Sequence, residues 1–221
     1  MTFKFLRPAL AIALALTLGA CGGKASFTIA GTASGLKYQG LVLNSNGMDL
    51  SVAPGTPTAT TPVPPVNFAF PNSISYGEVY EVSVKSQPAH QTCAVGAFAD
   101  ASGKVTGGAK DTAGRLATIN VGVMCSVNAY TIGGTVKGLT TAGLQLTNGS
   151  DPAIVTVTAT ATGSDVAFTF PNSVPFDTTY GVTVLTQPTD AFCTVSPSGT
   201  GTMGDAAVAN IVVSCTSTKT N

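Results

Sequence analysis

Along the second half of the chain the apolar residues recur every second position. Leu144/Leu146, Val155/Val157, Val166/Phe168/Phe170, Tyr180/Val182/Val184 and Ile211/Val213/Cys215 each place apolar side chains on one face, while threonines and small residues occupy the other. A period of two is the mark of a half-buried strand, whereas a helix face would repeat every 3.6 residues. Turn chemistry separates these runs: Asn148-Gly149, Gly163-Ser164-Asp165, Pro171-Asn172 and Ser196-Pro197-Ser198-Gly199. Glycine and asparagine accept positive φ there and proline fixes φ. Six or seven short strands per unit, rich in Val, Ile and Thr, predict an all-β chain folded as antiparallel sandwiches.

The same pattern occurs twice. Phe27-Thr28-Ile29-Ala30-Gly31-Thr32 matches Tyr130-Thr131-Ile132-Gly133-Gly134-Thr135, and the Gly-Leu pairs at 35–36 and 40–41 match those at 138–139 and 143–144. Phe68-Ala69-Phe70-Pro71-Asn72-Ser73 returns as Phe168-Thr169-Phe170-Pro171-Asn172-Ser173, Gln87-Pro88 as Gln187-Pro188, and Cys93 as Cys193; each copy closes on a strand that carries a cysteine, Cys125 or Cys215. The predicted organisation is a first sandwich over residues 27–126 and a second over 130–216. So short a link implies modules that touch and tilt little.

The N-terminus reads differently. Lys4 and Arg7 precede an apolar run from Ala9 to Leu18, the layout of a secretory signal peptide. The run falls short of the roughly 20 apolar residues that a spanning helix needs. Leu18-Gly19-Ala20-Cys21 resembles the lipobox of bacterial lipoproteins. The resemblance implies removal of residues 1–20, acylation of Cys21, and a lipidated tether over 21–26. Gly22 at the next position, instead of aspartate, resembles the pattern of lipoproteins sent to the outer membrane. The implied partner is a membrane, reached through the N-terminal lipid, and the implied location is the cell envelope.

Five cysteines less Cys21 leave four, which allow three pairings. Each copy owns two at equivalent places, so independently folding copies would join Cys93 to Cys125 and Cys193 to Cys215, in the oxidising compartment that export implies. The succession of Gly-Leu, Gly-Leu, Phe-x-Phe, Tyr-x-Val-x-Val, Gln-Pro, Cys and terminal Cys is also similar to a cysteine-paired, immunoglobulin-like repeat of proteobacterial envelope proteins. That resemblance implies a spacer or attachment unit and carries over no catalytic residue.

Composition narrows the chemistry further. Only 9% of residues are charged, 10 basic balance 10 acidic, and the chain has one histidine and no tryptophan. No basic stripe or excess exists to neutralise phosphates, so nucleic acid is not an expected partner. His90, the sole imidazole, is read as a solvated loop residue before Cys93; a catalytic triad would need a serine in a strained turn, and no G-x-S-x-G is present. The ten carboxylates form no Asp-x-Asp-x-Asp run for calcium. Glu78 and Glu81 have opposite strand parity and so are expected to face apart, as solvated charges. The glycine pairs lack the Lys-Ser/Thr of a phosphate loop, and the sequon at Asn148 is read as a chance match on a turn. No metal or cofactor is expected.

Two stretches depart from the repeat. The proline-rich segment 54–65 is read as a surface loop standing where the second copy has the strand-like Ile154–Thr160. An enlargement between Cys93 and Cys125, with Ala101-Ser102-Gly103-Lys104 and Gly107-Gly108-Ala109-Lys110, is read as a polar loop without an aromatic anchor. The expected function is a non-catalytic, membrane-anchored structural, spacer or attachment module. The alternatives are a ligand- or glycan-binding surface module, for which stacking aromatics are few, and an envelope hydrolase, for which no acid/base set can be assembled.

Overall fold

A computed structural model describes residues 24–57, 63–98, 107–149 and 151–219. The signal peptide, Cys21 and Ala101–Lys104 lie outside the described residues.

Among the described residues strands are the only regular elements apart from one 3₁₀ turn. The first module contains β1 (Ser26–Ser34), β2 (Leu41–Ser45), β3 (Met48–Val52), β4 (Val66–Ser75), β5 (Val79–Ser86), β6 (Gln91–Gly96), β7 (Lys110–Thr112) and β8 (Ile119–Val127). The second contains β9 (Ala129–Tyr130), β10 (Ile132–Lys137), β11 (Gln145–Asn148), β12 (Ile154–Thr156), β13 (Val166–Thr169), β14 (Val174–Pro175), β15 (Thr179–Thr186), β16 (Ala191–Val195), β17 (Thr200–Thr202) and β18 (Val208–Ser217), with one 3₁₀ turn at Pro197–Gly199. Each module is an immunoglobulin-like sandwich of two four-stranded sheets, β4-β1-β8-β6 over β3-β2-β5-β7 and β13-β10-β18-β16 over β12-β11-β15-β17. The short β9–β14 ladder repeats the outer end of β1–β4, which in the first module is set off only by a register shift between Thr28 and Ala30. Among the described residues no sheet mixes strands of the two modules.

Each sandwich buries its own alternating residues. Ile29, Leu41, Leu43, Phe70, Val82 and Val121 fill the first core, and Ile132, Leu144, Leu146, Phe170, Val182 and Ile211 the second. In both, the Phe-x-Phe repeat sets two rings edge to face at 6.4 and 6.1 Å, a favoured aromatic geometry.

One ladder in each module departs from the antiparallel expectation. β1 runs parallel to β8, from Ile29 opposite Ile119 to Ser34 opposite Met124, and β10 runs parallel to β18. Parallel neighbours need a long crossover, and here the entire module is the crossover. The chain therefore enters a module at one pole and leaves it at the other. A rise of about 3.3 Å per residue along β1 separates the poles by roughly 30 Å.

The crossing of β1 and β8 depends on glycine. A Cβ on Gly31 would stand 2.1 Å from the Val121 carbonyl oxygen and 2.5 Å from the Phe68 ring; on Gly134 it would stand 1.9 Å from the Ile211 carbonyl oxygen. The Gly-Leu repeat has a similar cause. Gly35 and Gly138 hold φ of +75° and +72°, with the Cys125 and Cys215 carbonyls against the place a side chain would take, and each is followed by a leucine that is fully buried.

Cys93 is bonded to Cys125 and Cys193 to Cys215. Each bridge joins directly opposed residues on neighbouring strands of one sheet, with Cα atoms 4.0 Å apart, rather than tying sheet to sheet. Closing loops with sequence separations of 32 and 22 residues stabilises each module by about 3.5 kcal/mol on the chain-entropy account. The recurring glutamines stand beside them. Gln87 Oε1 accepts from the Cys93 N–H (2.7 Å) and its Nε2 donates to the Cys93 carbonyl (3.0 Å), and Gln187 does the same for Cys193 (2.8 and 3.0 Å).

The proline-rich segment does not replace a strand. The counterpart of β12 is β3, which precedes the prolines: Val52 lies opposite Leu41 as Val157 bonds to Leu144. β3 is closed onto β2 by the two-residue turn Asn46-Gly47, with φ of 50° and 78°, the signature of a type I′ hairpin. Pro54–Pro57 and Val63–Pro65 then follow as irregular chain. In the enlarged loop, Gly107 makes a parallel bridge to Val121 and Lys110 begins β7.

Candidate functional site: the junction between the modules

Among the described residues, the densest meeting of polar and aromatic side chains is where the first module ends and the second begins. Asn128, the single residue between β8 and β9, is held on three sides. Its N–H donates to the His90 carbonyl (2.9 Å), its carbonyl accepts from the Phe176 N–H (2.8 Å), and its side-chain oxygen accepts from the Thr92 hydroxyl (2.8 Å).

His90 is not a solvated loop residue. Its φ of 57° turns the loop before β6 so that the ring lies flat on Phe176 of the second module, with centroids 3.7 Å apart and planes within 4°. Nδ1 meets Asp205 Oδ1 at 2.8 Å, and the side chain is 31% exposed. Tyr38 abuts both rings edge-on, at 5.2 Å from His90 and 5.8 Å from Phe176. Sequence reasoning could place His90 in a loop but had no view of the neighbouring module that covers it.

The loop that carries Tyr38 is fixed from beneath by Gln91, which is 1% exposed. Its Oε1 accepts from the Lys37 and Tyr38 N–H groups (2.7 and 3.0 Å) while Nε2 donates to the Gly35 carbonyl (2.7 Å). The Tyr38 hydroxyl is buried and has no hydrogen-bond partner. What the arrangement does chemically is join: the His90 stack on Phe176 and its hydrogen bond to Asp205 lie beside Asn128, on which two backbone bonds and one side-chain bond converge.

The other candidate residues are spread apart. Glu78 caps its own turn by accepting from the Ser75 N–H, and Glu81 on β5 pairs with Lys110 at 2.9 Å. Hydrogen bonds from Lys85 and Asn44 hold the Asp49 carboxyl below its usual range, and burial, then the nearby Asp111 charge, pushes the Tyr80 phenol up. Asn148 of the sequon is 6% exposed and its side chain accepts from the Gly181 N–H at 2.9 Å. Among the described residues no three His, Cys, Asp or Glu side chains gather as metal ligands. A shallow groove between β15 and β16, lined by Val182, Val184, Thr194, Val195 and Pro197, offers neither a titratable group nor an aromatic ring.

No known family profile matches the chain, and no curated protein matches it. Among solved structures it is similar to two major pilins of Streptococcus pyogenes. The T-13 pilin is 10% identical with a TM-score of 0.29, over 88% of this chain and 98% of that one. The T3.2 pilin is 11% identical with a TM-score of 0.28, over 86% and 97%. Likeness at this level carries no functional argument.

Proposed function

We propose that the chain is a non-catalytic envelope spacer: two sandwiches joined end to end and held to a membrane by lipid on Cys21. The observation that carries this reading is the parallel pairing of the first and last strands, which sends the chain in at one pole of each module and out at the opposite pole. Such modules extend a chain when strung together, and two of them reach about 60 Å by strand rise alone. The junction supports the same reading, because the only imidazole of the protein is spent on bracing one module against the next. The N-terminal motif supplies the attachment, since acyl chains add about 0.8 kcal/mol for every buried methylene. Envelope proteins gripping the far pole are the expected partners, and the outer membrane is the proposed location.

The test is fractionation of cells carrying Cys21→Ser. The variant leaves the membrane fraction, or accumulates as unprocessed precursor. Processed protein that remains membrane-bound without Cys21 overturns the anchor.

A further inference from the structure

The two modules carry equivalent poles in different company. At the second module's N-terminal pole the first module covers Phe176 with His90 and Tyr38 and reaches Asp205 through His90, while Thr179 and Ala206 follow in the same two loops. The loops that pair alike, Gly77 N–H to the Ala113 carbonyl and Asp177 N–H to the Met203 carbonyl, identify the corresponding residues of the first module as Tyr76, Val79, Arg115 and Leu116. Among the described residues no module covers these. Yet this end is more apolar than the covered one: valine stands for threonine, leucine for alanine, and an aromatic ring is retained.

Tyr76, Val79 and Leu116 are 65%, 54% and 52% exposed, and they are three of the seven large hydrophobic side chains so exposed among the described residues. Single exposed apolar side chains need no explanation, but a cluster marks a surface with a partner. The cluster is built on a braced frame. The Tyr76 N–H donates to the Ala25 carbonyl (2.9 Å), Gly77 N–H to Ala113 (2.9 Å) and Ala113 N–H to the Glu78 carbonyl (2.8 Å). The Phe27 ring stands 6.5 Å from that of Tyr76. The ring of Tyr76 lies over Gly114, where a Cβ would come within 2.3 Å of it.

These residues surround the point where the chain leaves toward Cys21. From Ala25, fixed by Tyr76, to Cys21 the backbone reaches at most about 14 Å. We infer that this pole rests on the bilayer, with Tyr76, Val79 and Leu116 in the interfacial zone. The inference rests on the lipid anchor proposed above and adds a second, protein-borne contact to it. Tyrosine suits that zone, with its ring toward the acyl chains and its hydroxyl in the headgroups. Charge plays little part. Lys24 and Arg115 are balanced by Glu78 and Asp111, Arg115 lying 3.2 Å from Asp111. The contact is therefore apolar and insensitive to salt.

The absence of tryptophan makes the test direct. Full-length lipidated protein carrying Tyr76→Trp, Leu116→Trp or, at the far pole, Phe192→Trp is reconstituted into phosphatidylcholine vesicles containing dibrominated phosphatidylcholine. The indoles at 76 and 116 are quenched several-fold more than the one at 192, emit at shorter wavelength, and keep both properties in high salt. Protein that floats with the vesicles while all three positions are quenched alike overturns the bilayer contact and leaves the anchor standing. Shielding of position 76 that grows with protein density and not with brominated lipid assigns the pole to a second copy of the chain and overturns it too. Protein that fails to float overturns the anchor, and the contact falls with it.

Discussion

The C-terminal poles of the two modules are built on one plan and finished differently. In the first, Tyr38, His90 and Gln91 form a platform for a neighbour; in the second the same positions hold Thr141, Asp190 and Ala191. The backbone beneath is unchanged. Asn128 N–H bonds to the His90 carbonyl as Thr218 N–H bonds to that of Asp190, and both residues 90 and 190 hold φ of 57°. In the second module Asp190 takes Lys219 at 3.2 Å, and Ala191 stands where Gln91 anchors the loop of the first. The comparison separates what a sandwich requires, which both copies keep, from what a junction requires, which only one of them has.

The strongest way to probe the shared part is at the strand crossing. Gly31→Ala and Gly134→Ala each force a Cβ into a backbone carbonyl, and each costs about 4 kcal/mol or more, the range reserved for core disruption. Urea unfolding of the two variants gives similar losses. A loss confined to one module breaks the equivalence of the copies.

The junction sets the next scale. Gln91→Ala strands the Lys37 and Tyr38 N–H groups and costs about 2 kcal/mol, with faster hydrogen exchange at those two amides. His90→Ala follows, losing about 1 to 2 kcal/mol from the stack and the partly exposed contact with Asp205. Asp190→Ala stays within about 0.5 kcal/mol, as exposed substitutions do. Equal losses at 90 and 190 in urea melts would erase the distinction between the poles.

The smallest effect sharpens the platform. Tyr38→Phe removes a buried hydroxyl that has no partner, so the variant melts within about 0.5 kcal/mol of the parent or above it. A larger loss would assign the hydroxyl a bond of its own.

Much of this was legible in the chain. The alternation named the inward residues of β11, β13, β15 and β18, since one sheet face is buried in each, and the repeat gave the cysteine pairs. The parallel ladders were not legible, because which strand lies beside β1 is decided by contacts some ninety residues away. The Asn46-Gly47 hairpin is legible in the sequence as a type I′ turn signal. Reading the repeat only for its matches placed the prolines opposite β12 when β3 already filled that place. His90 was missed for the converse reason: its meaning lies in a mismatch. Positions 38, 90 and 91 all change between copies, and the structure brings all three to one pole.

The parallel pair of β1 and β8 also decides how the molecule answers tension. Because the chain enters and leaves at opposite ends, a pull applied between those ends drags the two strands lengthwise past one another. Their backbone bonds then resist in shear and must give way together, whereas a hairpin pulled at its open end parts one bond at a time. If the end of β8 does peel, it reaches Cys125 two residues in from Val127, and the force passes through sulfur to Cys93 on β6. Residues 94–124 are then bypassed and cannot be drawn out. Each module thus resists extension as a strap with a covalent stop, able to be stretched and released without losing its fold.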